Sequence, residues 1–423
     1  MEKEQSDDQF GFREKRRIED VFSILENVVG KTNEWNLPLW MVSIDLRKAF
    51  DRILHVPLFD ALRAQCVPEG DIQLLAALYS NQQGFVNGSR AFEIQRGVKQ
   101  GDIISPLLFN ASIESAFRAW KHRLLEHGFL LAPNTTRFTN TRYADDVMLF
   151  AKSIGEVVEM VELLIEEFAK FGLELNASKT KFITNDVVEY MFVDIGGSMV
   201  SIVDSTAEHR FLGRYLSGDL DRRANVEVQH RIKTAWMKFG QHTNTLCNRN
   251  ISIKLRMKLF DSVVSPSLLF GLAILPLQVS CIEKLDIIQR KMLRKIVGWV
   301  RIPEELWNET MRRMSSKVEH ALKTCKVKVW SIRLAEMHWK FIARLKRLPP
   351  TSWQSLAAHW QPFETEDISC EFLPNRTRGH LVSRWDDRIS KFSWKHFGKR
   401  WQDIAPDDFS KTFTNLLGEA LST

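Results

Sequence analysis

No two of the five cysteines (Cys66, Cys247, Cys281, Cys325 and Cys370) form a CxxC pair or lie close together in the chain. That spacing argues against a zinc ribbon or finger and against a disulfide framework, and it fits a reducing compartment. A signal peptide is missing too, because the opening MEKEQSDDQF is too polar to serve as one. No apolar run reaches the roughly 18 residues that a bilayer span needs; residues 267–276 come nearest. Internal repeats and low-complexity tracts are also absent. Together these absences predict a soluble protein without a membrane partner, held inside the cell in the nucleus or cytoplasm.

What is present is an ordinary globular composition, 44% hydrophobic and 26% charged, in a chain of 423 residues, long enough for two or three domains. The net charge of +7 is unevenly spread. Residues 1–220 hold 24 Lys and Arg against 32 Asp and Glu, whereas residues 221–423 hold 35 against 20. A basic half joined to an acidic half suggests a polyanionic partner, although a plain basic surface gives the same count.

Hydrophobic spacing divides the chain in the same place. Residues 17–29 carry a helical stripe of Ile18, Val21, Phe22, Leu25 and Val28. Residues 39–46 form a short apolar run with Asp45 near its end, the pattern of a strand emptying into a turn. Two helices follow over 57–79, broken at Pro68-Glu69-Gly70. Residues 84–94 alternate around Asn87-Gly88, a strong hairpin signal. A helix over 106–126 leads to a second hairpin over 137–151, tipped by Ala144-Asp145-Asp146. An amphipathic helix over 154–171 and strands near 181–184 and 192–195 complete this α+β part. Beyond about residue 219 long amphipathic patterns take over, and ten of the 13 tryptophans lie there.

Three acids stand out: Asp45 at a strand end, and Asp145-Asp146 at a hairpin tip. Strand ends and tight turns hold side chains rigidly. Two divalent cations about 3.5–4 Å apart can activate a hydroxyl and neutralise a leaving pyrophosphate. Magnesium accepts such oxygen ligands, completing its octahedron with phosphates and water. An Asp-Asp pair in a turn is weak evidence alone, because Asp commonly caps local amides.

The order of several blocks is more specific. SIDLRKAFD (43–51), RGVKQGDIISPLLFN (96–110), RYADDVMLF (142–150), GLELNASKTKF (172–182) and HRFLGRYL (209–216) together resemble palm motifs A to E of reverse transcriptases. LLFG (268–271) and LRKIVG (293–298) look like the thumb of the non-LTR (LINE-type) retrotransposon branch, and QFGFREKRRIED (9–20) resembles the block before motif A. The resemblance runs from about residue 9 to about residue 300. It implies an α+β right-hand polymerase: partial fingers over 1–38, a palm over 39–219, an all-α thumb with following helices over 220–348, and a basic, Trp-rich helical extension over 349–423. The family's upstream fingers segments and endonuclease domain have no counterpart in these residues, as in an N-terminally truncated copy.

By the same resemblance, Asp45, Asp145 and Asp146 are metal-holding catalytic acids, and the Leu46 carbonyl is a backbone ligand. The implied cofactor is two Mg²⁺ ions, with Mn²⁺ as a substitute. Phe50 falls where the family places the aromatic that blocks a ribose 2′-hydroxyl. Gln100, Gly101 and Tyr143 fall beside the nascent pair and template, and Arg13 where fingers meet template or triphosphate. Lys179 matches a lysine thought to protonate pyrophosphate, with Lys181 as a rival. Phe211, Leu212 and Gly213 resemble the hairpin that grips the primer end. RNA template, DNA primer or target, and dNTP are the implied partners. Two other readings are a catalytically impaired retroelement-derived binding protein and a group II intron-type maturase. In the tail, tryptophans mixed with Arg and Lys read either as core or as a base-stacking surface. RTRGHLVSRWDDRI (376–389) resembles a segment downstream of the thumb in some elements. Its Asp386-Asp387 reads as a salt-bridged helix face between Arg384 and Arg388 rather than a second metal pair.

Overall fold

The computed structural model describes residues 2–85, 91–204, 207–220, 222–362 and 384–408. The Asn87-Gly88 turn and residues 376–383 of the downstream segment lie outside the described residues. Among the described residues the chain forms two compact units. One holds residues 2–213, 217–220 and 350–362; the other holds 214–216, 222–349 and 384–408.

The first unit is built on a six-stranded sheet. Its strands are β1 (Trp40–Ile44), β4 (Asn140–Tyr143), β5 (Asp146–Ala151), β6 (Lys181–Thr184), β7 (Phe192–Ile195) and β8 (Ser198–Ile202), in the order β4-β5-β1-β6-β8-β7. A small separate pair, β2 (Gln83–Gly84) and β3 (Phe92–Glu93), lies outside this sheet. Every pairing in the large sheet is antiparallel except β6 with β8.

Before the large sheet runs α1 (Ile18–Glu34). Between its strands run α2 (Ala49–Arg52), α3 (His55–Ala64), α4 (Glu69–Tyr79), α5 (Ser105–Arg123) and α6 (Ile154–Lys170). Alternate residues of β5 point to opposite faces. Val147, Leu149 and Ala151 pack with Phe109, Phe117, Trp120, Met160 and Phe168 of α5 and α6. Buried Trp120 donates its indole N–H to the Met160 carbonyl at 2.8 Å, so the ring is paired as well as packed. On the other face Phe150 meets Phe138, which meets Trp353. With both faces covered, β5 reads as the unbroken apolar run VMLFA. At the head of α6, Ser153 caps the Glu156 N–H, and the Glu156 carboxylate accepts from the Lys152 N–H at 2.7 Å.

The second unit is helical. It contains α7 (Arg223–Gln241), α8 (Thr243–Leu246), α9 (Ile253–Leu259), α10 (Ser265–Leu269), α11 (Val279–Val297), α12 (Trp307–Cys325) and α13 (Trp330–Leu345). One helical run here, Ile253–Ile274, is long and apolar enough by composition to cross a membrane, and 56% of its apolar window is buried within the protein. This corrects the expectation that no stretch reaches such a length. Lys258 and Asp261 divide the apolar letters and conceal the run in the sequence.

The tail does not behave as one extension. Helix α14 (Trp353–His359) belongs to the first unit and packs on α1, with Trp360 fully buried 5.5 Å from the Phe129 ring. Helix α15 (Asp387–Phe397) belongs to the second unit. Trp330, Trp339, Trp360, Trp385 and Trp401 are buried core residues, whereas Trp307 and Trp394 are exposed. Asp386 accepts the Trp401 indole N–H at 2.9 Å, and Asp387 accepts the Arg384 backbone N–H at 2.8 Å. Both acids therefore serve the local fold.

Candidate active site

β1 and β5 pair with Ile44 opposite Val147 and Ser43 opposite Met148. Extending that register by one step sets Asp45 against Asp146, on the same side of the sheet. β4 and β5 close through a two-residue turn, Ala144-Asp145, with Tyr143 paired to Asp146. Two elements 100 residues apart thus deliver three carboxylates to one end of the sheet.

Their electrostatics agree with that convergence. Burial raises the pKa of Asp146, and the neighbouring charges of Asp145 and Asp45 raise it further, to about 6, against a downward pull from Arg210. Burial and Asp45 also raise Asp145. Mutual repulsion of this kind is relieved by a cation. Among the described residues, no three His, Cys, Asp or Glu side chains are drawn together tightly enough to make a ready cage for a metal ion. The three acids offer carboxylate oxygens, the donor type that a hard divalent cation takes one or two at a time alongside phosphates and water. The donor set fits such ions in chemistry and in charge.

The shell around Asp45 is specific. Its Oδ2 accepts from Asn176 Nδ2 at 2.9 Å, its backbone N–H donates to Thr180 Oγ1 at 3.2 Å, and its carbonyl accepts from Asn176 N–H at 2.8 Å. Lys179 Nζ stands 3.9 Å from Asp45 Oδ1 on a largely exposed side chain. Lys181 instead donates to the Ser178 carbonyl and to Ser201 Oγ at 2.6 Å. Geometry separates the two lysines: Lys179 faces the acids and Lys181 is tied to β8.

Leu46 is buried and bridges Leu175 just beyond the strand end. The Phe50 ring is half-buried and stacks on Phe109 at 4.5 Å, which holds it in a fixed position. Its carbonyl accepts from Val98 N–H, and Gln100 Nε2 lies 3.4 Å from Asp51 Oδ1, so the second motif is sewn to the end of the first. Gly101 has a φ of +89° with open space around it; its backbone conformation, not crowding, asks for glycine. Tyr143 is half-buried at the end of β4.

Phe211 is buried at the end of β9 (Glu208–Phe211). Leu212 and Gly213, with φ of +49° and +77°, make the turn before β10 (Arg214–Ser217). Arg13 is placed differently from the other site residues. Its guanidinium donates to the carbonyls of Ser6 and Gln9 and pairs with Glu2, organising the N-terminal loop.

Sequence reading overlooked four residues here. Burial and Lys181 lower the His209 pKa to about 4, although Asp45 pulls it upward. Arg210 acts on Asp146. Gln9 and Gly11 abut the Ala144 turn. His209 and Arg210 immediately precede Phe211, and that adjacency was the available signal; Gln9 and Gly11 gave none beyond their block.

The sequence model of the reverse transcriptase (RNA-dependent DNA polymerase) family matches residues 1–216, which include all three acids. The chain belongs to the reverse transcriptase family. Its similarities to known reverse-transcribing elements extend further along the chain. A transposon-derived protein of Caenorhabditis elegans is 26% identical over 61% of this chain and 86% of its own length. The retrovirus-related Pol polyprotein of a type-2 retrotransposable element from Drosophila melanogaster is 23% identical over 90% of this chain and 34% of its own. The RNA-directed DNA polymerase of the mobile element jockey from Drosophila funebris is 26% identical over 69% and 32%. The reverse transcriptase chain described here thus spans about a third of the length of those two fly proteins.

Proposed function

We propose that this chain is the polymerase core of a non-LTR retrotransposon and performs RNA-directed DNA synthesis. A primer 3′-hydroxyl attacks the α-phosphate of a dNTP, the new phosphodiester forms, and pyrophosphate leaves. The observation that carries this reading is the β1–β5 register that brings Asp45 to Asp145-Asp146 within the family-matched region.

Asp45, Asp145, Asp146 and the Leu46 carbonyl are the groups that would hold two Mg²⁺ ions. Such ions supply charge neutralisation at the triphosphate and a more acidic primer hydroxyl. The protein's own residues do the rest. Asn176 and Thr180 fix the Asp45 carboxylate and backbone. Lys179, whose Nζ stands 3.9 Å from Asp45 Oδ1, would hand a proton to the departing pyrophosphate. Gln100, Gly101 and Tyr143 would lie along the nascent pair and template, and Phe211-Leu212-Gly213 against the primer. In this reading 39–219 is the palm, residues before it belong to the fingers, and the helices from 220 form the thumb.

Phe50, backed by Phe109, would exclude a ribose 2′-hydroxyl by steric contact. Phe50→Ala should therefore raise the kcat/KM for a ribonucleotide relative to its deoxy counterpart by about 10–100-fold. An unchanged ratio would remove Phe50 from sugar selection.

The decisive assay is primer extension by the purified protein with Mg²⁺, dNTPs and an RNA template, with Asp145→Asn in parallel. Wild-type extension lost in the variant supports the reading. Extension that survives the substitution refutes the site assignment. Tight template binding without extension in either protein identifies a nucleic-acid-binding descendant instead.

A further inference from the structure

The turn that carries Asp145 has an unfavourable backbone. Ala144 sits at φ +58°, and Asp145 is not among the residues with positive φ. Positive φ at the first of two central residues is the type II′ pattern, which favours glycine there. An L-alanine in that position needs support from its surroundings.

The support comes from a segment 135 residues away. Fully buried Gln9 turns its side-chain oxygen toward the turn and accepts two hydrogen bonds, from Ala144 N–H at 3.1 Å and from Gly11 N–H at 2.9 Å. The segment around it is held as if it were an added strand beside β4. Phe10 N–H donates to the Arg142 carbonyl, and Arg142 N–H donates to the Asp8 carbonyl, both at 2.8 Å. Asn110 of α5 donates to the Gly11 carbonyl at 2.9 Å. Gly11 lies so close that an added Cβ would fall 2.3 Å from Ala144 N, so the two backbones touch with no room for a side chain.

We propose that Gln9 is a positioning residue for nucleotidyl transfer: its amide oxygen locks the Ala144-Asp145 turn in the left-handed geometry that presents Asp145 and Asp146 to the metal site. The role rests on the catalytic assignment of those two acids. It needs only an acceptor oxygen at the end of a side chain of this length, so Glu can supply it and Met, which has nearly the same shape, cannot.

The test has an arm that reads the turn and an arm that reads chemistry. Hydrogen–deuterium exchange on the full chain should show the peptide spanning 140–147 opening at least tenfold faster in Gln9→Met, with wild-type exchange in Gln9→Glu. Single-nucleotide incorporation should show kcat at least tenfold lower in Gln9→Met with the dNTP KM within twofold, and kcat within threefold of wild type in Gln9→Glu. Unchanged exchange in Gln9→Met overturns the inference, whatever the activity. Faster exchange with unchanged kcat also overturns it, because the bond would then be idle in catalysis. Equal losses in the Met and Glu variants would show that the acceptor oxygen is not what matters. If the wild-type chain incorporates nothing, the polymerase reading fails by itself; with the predicted exchange pattern the turn-locking contact stands, and its role in nucleotidyl transfer is overturned.

Discussion

Asp145→Asn should lower single-nucleotide incorporation at least about a thousandfold, corresponding to the several kcal/mol that metal-held charge contributes in the transition state. Asparagine keeps the shape and the turn but surrenders the anion. The loss should therefore appear with KM for dNTP and overall stability little changed. A variant retaining a tenth of wild-type kcat would exclude Asp145 as an essential ligand.

The same crowding of carboxylates predicts an opposite effect on the metal-free fold. Asp146 has a folded pKa near 6, above the ordinary value of 3.8, because burial and two like charges disfavour its ionised form. The folded state then holds its proton more tightly than the unfolded state, and stability falls as pH rises from about 4 to about 6. Although the surrounding site partly desolvates its carboxylate, Asp146 as a residue stays exposed, so water screens much of the repulsion, and the expected cost is about 1 kcal/mol. In EDTA at pH 7, Asp146→Asn should accordingly be more stable than wild type while being inactive with Mg²⁺. Thermal melts at pH 5 and 7 test this; a variant that melts below wild type at pH 7 would contradict it.

The largest stability effect should come from Arg142. Its side chain is wholly buried in β4, with Nε 2.9 Å from Asp8 Oδ2, Nη2 2.8 Å from Glu114 Oε2, and the guanidinium 4.2 Å from the Phe117 ring. Lys121 reaches Asp8 at 2.8 Å, and Asn140 donates to it as well. Burial alone would raise the Asp8 pKa, but Arg142 and Lys121 outweigh it and hold the carboxyl far below the usual range. Asp8 therefore contributes stability above its unfolded pKa, which is lost as pH falls toward the folded one. Arg142→Met removes the buried cation shared by Asp8 and Glu114, leaving them the more exposed Lys121 and Arg118, and should cost about 3–5 kcal/mol in urea denaturation. Adding Asp8→Asn and Glu114→Gln should recover much of that. A single-variant loss below 1 kcal/mol would show that the network contributes little.

Most strands of the large sheet were legible because their signals are local. A short apolar run with Asp45 near its end marked β1, and the strands at 181–184 and 192–195 match β6 and β7 residue for residue. Less visible was β8, whose SMVSI follows Gly196-Gly197 and lacks a clear apolar alternation. The stripe predicted for α1 was too narrow. That helix is buried nearly all round, and Ser23, Asn27 and Thr32 satisfy themselves by donating to carbonyls one turn earlier. What no local pattern could disclose was pairing over long separations. The resemblance put Arg13 where fingers meet template or triphosphate, and in the folded chain its guanidinium donates to the Ser6 and Gln9 carbonyls. Gln9 carried no signal of its own beyond its block, and only the folded chain brings it to Ala144. Nor could the sequence tell that Lys181 engages Ser201 of β8 while Lys179 stands near Asp45.

Helix α14 has a consequence for how this molecule is made. Trp353 and Trp360 complete the packing around Phe138 and Phe129, so the unit bearing the acids is finished by residues synthesised after the whole of α7 to α13. A nascent chain stalled at residue 349 would leave those aromatic faces open to solvent and to chaperones. The cover over these aromatic faces is thus complete only once residues 350–362 have been translated.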